Sequence, residues 1–133
     1  MNVNPYVLFN GTCAEAFAFY GKVLGAKIDQ MMTHGEAPAE MQVAPGWKDK
    51  VMHAQMKIGD TLLMGSDAPP GWYSTPQGAS VSLMLDDPVE ADRIFAALAE
   101  GGQTRMPIAK TFWAKRFGML TDRFGIPWMI NCQ

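Results

Sequence analysis

DRFGIPWMIN, residues 122–131, closes the chain, and the fold turns on what kind of strand it belongs to. Residues 126 to 132 carry strand signals, and 104–109 and 112–121 read as strands of the same half. The question is whether this last strand holds chemistry or only shapes a cavity. Its answer depends on a plan that the chain states twice.

Ahead of these strands, Val81, Leu83 and Leu85 alternate with Ser80, Ser82 and Met84, the pattern of a strand with two differing faces. A helix start follows. Asp87 can cap it, Pro88 suits the first helical position and Glu90 stands three residues after Asp87, which predicts a capping box. Ala91, Ile94, Phe95 and Leu98 form the buried stripe, ended by Gly101-Gly102. The first half has the same order. An apolar stretch, Pro5 to Phe9, leads through Asn10-Gly11 to the capping signal Thr12-x-x-Glu15, so a helix is expected from Thr12. Ala16, Phe17, Tyr20, Val23 and Leu24 share one face, and Gly25 supplies a left-handed stop. Val51 to Ile58 and Thr61 to Ser66 read as strands joined by a hairpin turn at Gly59-Asp60.

Each half therefore reads strand, helix, three strands, a repeat in grammar rather than in residues. The expected organisation is one α+β domain: a first module over about 1–67, a Pro-, Gly- and Ser-rich linker over 68–78, and a second module over about 79–133. A further irregular stretch, 34–50, is long for a connection and suits either a lid over a site or a solvated surface loop.

Composition narrows the class. The 133 residues suffice to bury a core without staples, and no apolar run approaches the ~20 residues of a membrane span. Eleven basic against thirteen acidic residues give a net charge of −2 with no basic stripe, so a nucleic-acid partner is not expected. The opening MNVNPYVLF lacks the features of a signal peptide, and two cysteines are too few for a disulfide scaffold. A cytoplasmic protein is expected.

Three stretches, PYVLFNGTCAEAFAFYGKVLGAKI (5–28), MHAQMKIGDTLLMGSDAPP (52–70) and TFWAKRFGMLTDRFGIPWMIN (111–131), resemble the glyoxalase/bleomycin-resistance group, the vicinal oxygen chelate superfamily. FY-x-KVLGA recurs widely in that superfamily. The pairing of GDTLLMGSD with TFWAKRFG and FGIPWMIN resembles its PhnB-like branch. The resemblance implies paired βαβββ modules forming a curved eight-stranded cup, commonly in a homodimer. It also implies a divalent metal on the inner face, held by one His or Glu from each of four strands.

Registered on those motifs, the four ligand positions fall at Pro5, Met64, Ser80 and Met129. Proline has no side-chain donor, and thioether or hydroxyl groups are not normal ligands for a hard or borderline divalent ion. A one-residue slip substitutes Leu63, Ser66, Val81, Trp128 or Ile130, none of them His or carboxylate. No metal and no other cofactor is therefore expected, and a divalent ion enters only if the register is wrong. In this register Pro127, Met129 and Asn131 face the cup while Trp128 and Ile130 face the helices. The strand then shapes a cavity with Met64, Met84 and Met129 as an adaptable floor, unless those residues merely fill a core.

His53 is the candidate for ligand, acid or base, on a strand face shared with Gln55 and Lys57, although without a carboxylate partner in the sequence an exposed or structural histidine is the favoured reading. A nonstandard metal centre would combine His53 with Asp67 or His34. Trp113, with Phe112 and Phe117, is read either as an aromatic wall for a ligand or as core packing or a dimer contact. Trp47 and Trp72-Tyr73 are candidates for covering a pocket mouth. Cys13 and Cys132 are read as buried and inert, though the helix start at Cys13 would in principle lower its thiol pKa. The expected cavity set is Pro5, His53, Gln55, Met64, Ser80, Met84, Trp113 and Met129. The leading expectation is a metal-free cup that binds a small organic molecule, as bleomycin-resistance relatives do by sequestration. The alternative is a metal-dependent lyase or dioxygenase using His53. The methyltransferase label that PhnB-like proteins sometimes carry finds no methyl-donor loop here.

Overall fold

In a computed structural model the described residues are 1–41 and 45–133. Among them the order is β1 (Tyr6–Phe9), α1 (Cys13–Leu24), β2 (Ile28–Thr33), two short 3-10 turns (His34–Glu36 and Ala39–Met41), β3 (Val51–Ile58) and β4 (Thr61–Asp67). There follow β5 (Val81–Leu85), α2 (Pro88–Ala99), β6 (Gln103–Ala109), β7 (Arg116–Thr121) and β8 (Pro127–Cys132). The strands hydrogen-bond into two four-stranded sheets, ordered β1-β4-β3-β2 and β5-β8-β7-β6. In both, the first strand pairs parallel with the last and the remaining pairs are antiparallel. This is the α+β, twice-repeated βαβββ order expected, with the eight strands divided between two separate sheets. The chain forms two compact units, Met1–Ser74 and Thr75–Gln133. No helix among the described residues is long and apolar enough to cross a membrane.

The apolar stripes explain where each unit keeps its core. Helix α1 buries Ala16, Phe17, Tyr20 and Val23, and Phe9, Phe17 and Tyr20 form a ring cluster with centroids 6.1–6.4 Å apart. Burying each such side chain contributes about 1.5–3 kcal/mol. Met56 and Leu63 complete that core from β3 and β4. In the second unit Ala91, Ile94, Phe95 and Leu98 of α2 meet strands whose alternate residues Trp128, Ile130 and Cys132 are 0% exposed. Gly25 ends α1 at φ 65°, as expected. The Gly59-Asp60 turn is also as expected: Ile58 pairs with Thr61, and Gly59 takes φ 57° at the first turn residue, where a type II′ hairpin favours glycine.

Three local expectations are corrected. Thr12 occupies the N-cap of α1 but its side chain makes no capping bond. The Cys13 amide donates instead to Asp67 Oδ1 at 2.9 Å, because the end of β4 delivers a buried carboxylate to the helix start. At α2 only half the box forms. Asp87 accepts from the Val89 amide at 3.0 Å, whereas Glu90 turns outward to pair with Arg93. The strand expected over 112–121 begins only at Arg116, because Thr111 Oγ1 accepts from the amides of Trp113 and Ala114 and bends the chain there. One strand that the motifs did not mark, β2, pairs along β3 as an edge. Of the long stretch 34–50, residues 42–44 lie outside the described residues.

Candidate functional site

Alternation gives each sheet one side against its own helix and one side away from it. On the second sheet, Ser82 pairs with Met129, Met84 with Asn131, and Met119 with Met129, which puts these residues together on the side away from α2. The split of β8 is that read from the sequence: Trp128 and Ile130 are fully buried, whereas Pro127, Met129 and Asn131 are half-buried. A 540 Å³ cavity lies on this side. Its walls are Met119, Pro127 and Met129, with Ser80 and Gln77 as polar groups and Arg105 as its cation. Arg105 Nε donates to Thr121 Oγ1 at 2.9 Å, which anchors the guanidinium and leaves its terminal nitrogens as further donors. Of the expected residues, Ser80 and Met129 line this cavity. Met84 does not. It is 62% exposed, and its sulfur accepts from Asn131 Nδ2 at 3.5 Å. Asn131 Oδ1 is buried and has no hydrogen-bond partner among the described residues, an acceptor on the same side of the sheet.

Phe112, Trp113 and Phe117 do come together. Their rings meet edge to face, with centroids 4.8 Å apart for Phe112–Trp113 and 5.3 Å for Trp113–Phe117. Phe112 is almost wholly exposed, and Trp113 is exposed as well, so these two rings are not core packing, while Phe117 is half-buried.

On the first sheet, the side away from α1 carries Tyr6, Met64 and Gln55 in one row, with His53 opposite Met32. His53 is not isolated. Its Nδ1 lies 3.2 Å from Tyr6 Oη, its Nε2 lies 3.2 Å from Gln55 Oε1, and Gln55 Nε2 donates to Asp29 Oδ2 at 2.7 Å. Pro5, expected in the cavity, lies one residue before β1 and outside this row, because alternation gives that side to Tyr6; its carbonyl accepts from the Met64 amide at 3.1 Å.

The metal that the resemblance implies finds no fitting donors in the positions read for it. Pro5 offers a carbonyl already used by Met64, Met64 and Met129 offer thioethers, and Ser80 offers a hydroxyl at the cavity wall. Among the described residues no group of three or more His, Cys, Asp or Glu is placed to hold an ion. The nonstandard combination fails too. Asp67 alternates with Leu63 and Gly65 toward α1, its Oδ2 accepts from the Val51 amide at 2.9 Å, and His34 Nε2 is 3.2 Å from the Asp67 carbonyl. His53 points from the other side of that sheet. Asp67 also settles Cys13: burial, reinforced by the neighbouring carboxylate, pushes the thiol far above its ordinary range despite the helix start. Trp47 is half-buried in the first unit, close to Gly11, while Trp72 is 78% exposed.

Tyr6, Asp29, Arg105 and Met119 were not singled out from the sequence. Alternation in RFGMLT would have placed Met119 beside Met129. Nothing local marks Tyr6 as the partner of a histidine 47 residues away.

Comparison with known proteins agrees with the architecture. The family model "Glyoxalase/Bleomycin resistance protein/Dioxygenase superfamily" matches residues 2–130. The chain is 35% identical to Protein YjdN of Escherichia coli (strain K12) over 98% of this chain and 95% of that protein. Protein PA1353 from Pseudomonas aeruginosa has 46% identity and a TM-score of 0.92, with 100% of this chain and 98% of that one covered. The structure of a protein from Bacillus cereus described as "Putative 3-demethylubiquinone-9 3-methyltransferase, PhnB protein" has 24% identity and a TM-score of 0.80 over the whole of both chains. That last likeness is one of fold, and its methyltransferase description is said of the Bacillus protein.

Proposed function

Since the chain belongs to the Glyoxalase/Bleomycin resistance protein/Dioxygenase superfamily, we propose that it binds a small organic molecule without the family's divalent metal, and that it does so as a homodimer. The ligand has an apolar body and an anionic or hydrogen-bond-accepting group. The observation that carries this reading is the 540 Å³ cavity of the second unit, within the range of about 300–1,000 Å³ typical of small-molecule pockets. Met119 and Met129 give it a polarizable surface that adapts to irregular apolar shapes. Arg105 supplies the charge that orients the ligand. The exposed Phe112–Trp113 pair supports a second copy as the natural cover for that surface.

Thermal unfolding with paired aromatic probes tests the binding. Naphthoate at about 100 times its dissociation constant should add ~2.7 kcal/mol and raise Tm by several degrees, with neutral naphthalenemethanol giving less. In Arg105→Gln the difference between the two should disappear. If no member of a panel of aromatic and aliphatic acids shifts Tm, the reading fails.

A further inference from the structure

The first unit carries a chain of hydrogen bonds whose direction is fixed at one end. A carboxylate only accepts, so Asp29 obliges Gln55 to present its Nε2 at 2.7 Å, and the amide must then turn Oε1 toward His53. Oε1 is an acceptor, so His53 Nε2 must donate to it across 3.2 Å. A neutral imidazole with its proton on Nε2 has a lone pair on Nδ1. The group 3.2 Å from that lone pair is the Tyr6 hydroxyl, which therefore donates to it and keeps its own lone pairs free to accept. Each residue orients the next, the arrangement by which hydroxyl, imidazole and orienting groups act as one unit in hydrolases. Tyr6 is 47% exposed, so its oxygen is reachable. Its surroundings on that side are apolar: Met64 is its pairing partner on β4, Met32 stands opposite His53, and Leu8 is 40% exposed. The charged and titratable groups facing the histidine from the strands around it are Tyr6 on β1, Asp29 on β2 and Lys57, two residues past Gln55 on β3.

We propose that Tyr6 and His53 form a metal-free general-base site for a small, largely apolar substrate carrying an acidic C–H or O–H, with Gln55 and Asp29 as positioning residues. In the step, the substrate proton passes to Tyr6 Oη while the Tyr6 proton passes to His53 Nδ1. The electron pair of the broken bond stays on the substrate, and the imidazolium returns its proton to water afterwards. Tyr6 is the catalytic residue that touches substrate. This site goes beyond the binding reading and does not depend on the cavity of the second unit.

The test uses the full chain and 5-nitrobenzisoxazole, a flat carbon acid that needs no metal. Loss of its ring C–H proton to the base forms a nitrile as the N–O bond breaks, releasing a coloured nitrophenolate. The wild-type protein should open the probe at least ~100-fold faster than folded Tyr6→Phe or His53→Gln, the lower end of what a positioned base contributes. Gln55→Leu should also slow it. A second measurement needs no variant: nitrogen NMR of neutral His53 in the wild-type protein should show the proton on Nε2, and in Gln55→Leu that preference should weaken. Equal rates in wild type, Tyr6→Phe and His53→Gln would overturn the proposal. So would a wild-type His53 with its proton on Nδ1.

Discussion

Asp122 shows how much one carboxylate can organise. Only 3% exposed, it follows β7 and accepts from the Phe124 and Ile126 amides at 2.9 Å through Oδ1, and from the Trp128 indole at 2.8 Å through Oδ2. The turn of the last hairpin and the largest fully buried side chain are thus held by one residue. Asp122→Ala leaves three buried N–H groups without this acceptor, and we expect a loss of about 2–4 kcal/mol. Asp122→Asn should cost less but not nothing, since an amide that keeps its oxygen on the two backbone donors turns its NH2 toward the indole N–H. Urea unfolding should show both as a lower midpoint at unchanged slope, with Ala below Asn. A midpoint for Asp122→Ala equal to wild type would mean that other groups hold this turn. The opening DRFGIPWMIN was legible as a strand, and its alternation gave the right faces. The role of Asp122 was not legible, because a short acidic side chain before Arg-Phe-Gly reads like any turn residue until its carboxylate is seen beneath the tryptophan.

At the scale of elements, the legible part was whatever alternation and helical spacing encode. Both helices, the Gly25 stop and the Gly59-Asp60 hairpin follow from local pattern. What failed was set by distant residues. Thr12 lost its capping role to Asp67, 54 residues from Cys13, and the aromatic run Phe112–Trp113 gave up its strand to a turn closed by Thr111. The candidate site failed in the same way: His53 was visible as a residue type, while Asp29, reached through Gln55 across 26 residues, was not. Packing between elements makes a sharper claim at Gly118 of β7. A Cβ built there would lie 2.6 Å from the Phe95 ring of α2 and 2.9 Å from the Ile108 backbone. Gly118 is not among the glycines of positive φ, so the obstacle is space and not conformation. Gly118→Ala should therefore destabilise by about 1–3 kcal/mol, as overpacking does, and Phe95→Leu in the same chain should recover part of it. Additive losses in the double variant would show that Phe95 is not what fills the space.

At the scale of the whole molecule, the proposed absence of the superfamily's metal can be measured on the intact protein. A closed divalent site needs three or more good donors converging, and its ion stabilises the folded state by the free energy of binding. Pro5, Met64, Ser80 and Met129 stand where the motif register puts the four ligands, His34 and the Asp67 carboxylate have backbone partners, and His53 is bonded through both ring nitrogens. Removing metal should then take nothing from the fold. Native mass spectrometry of the purified protein should give twice the 14.6 kDa chain mass with no added metal, as the homodimer proposal requires, and a chelator should leave Tm where it was. About one divalent ion per chain, with Tm falling by several degrees on chelation, would put metal-assisted chemistry back in place of the binding cavity. A metal-free species at the mass of one chain would instead retain the cavity and remove the second copy from it.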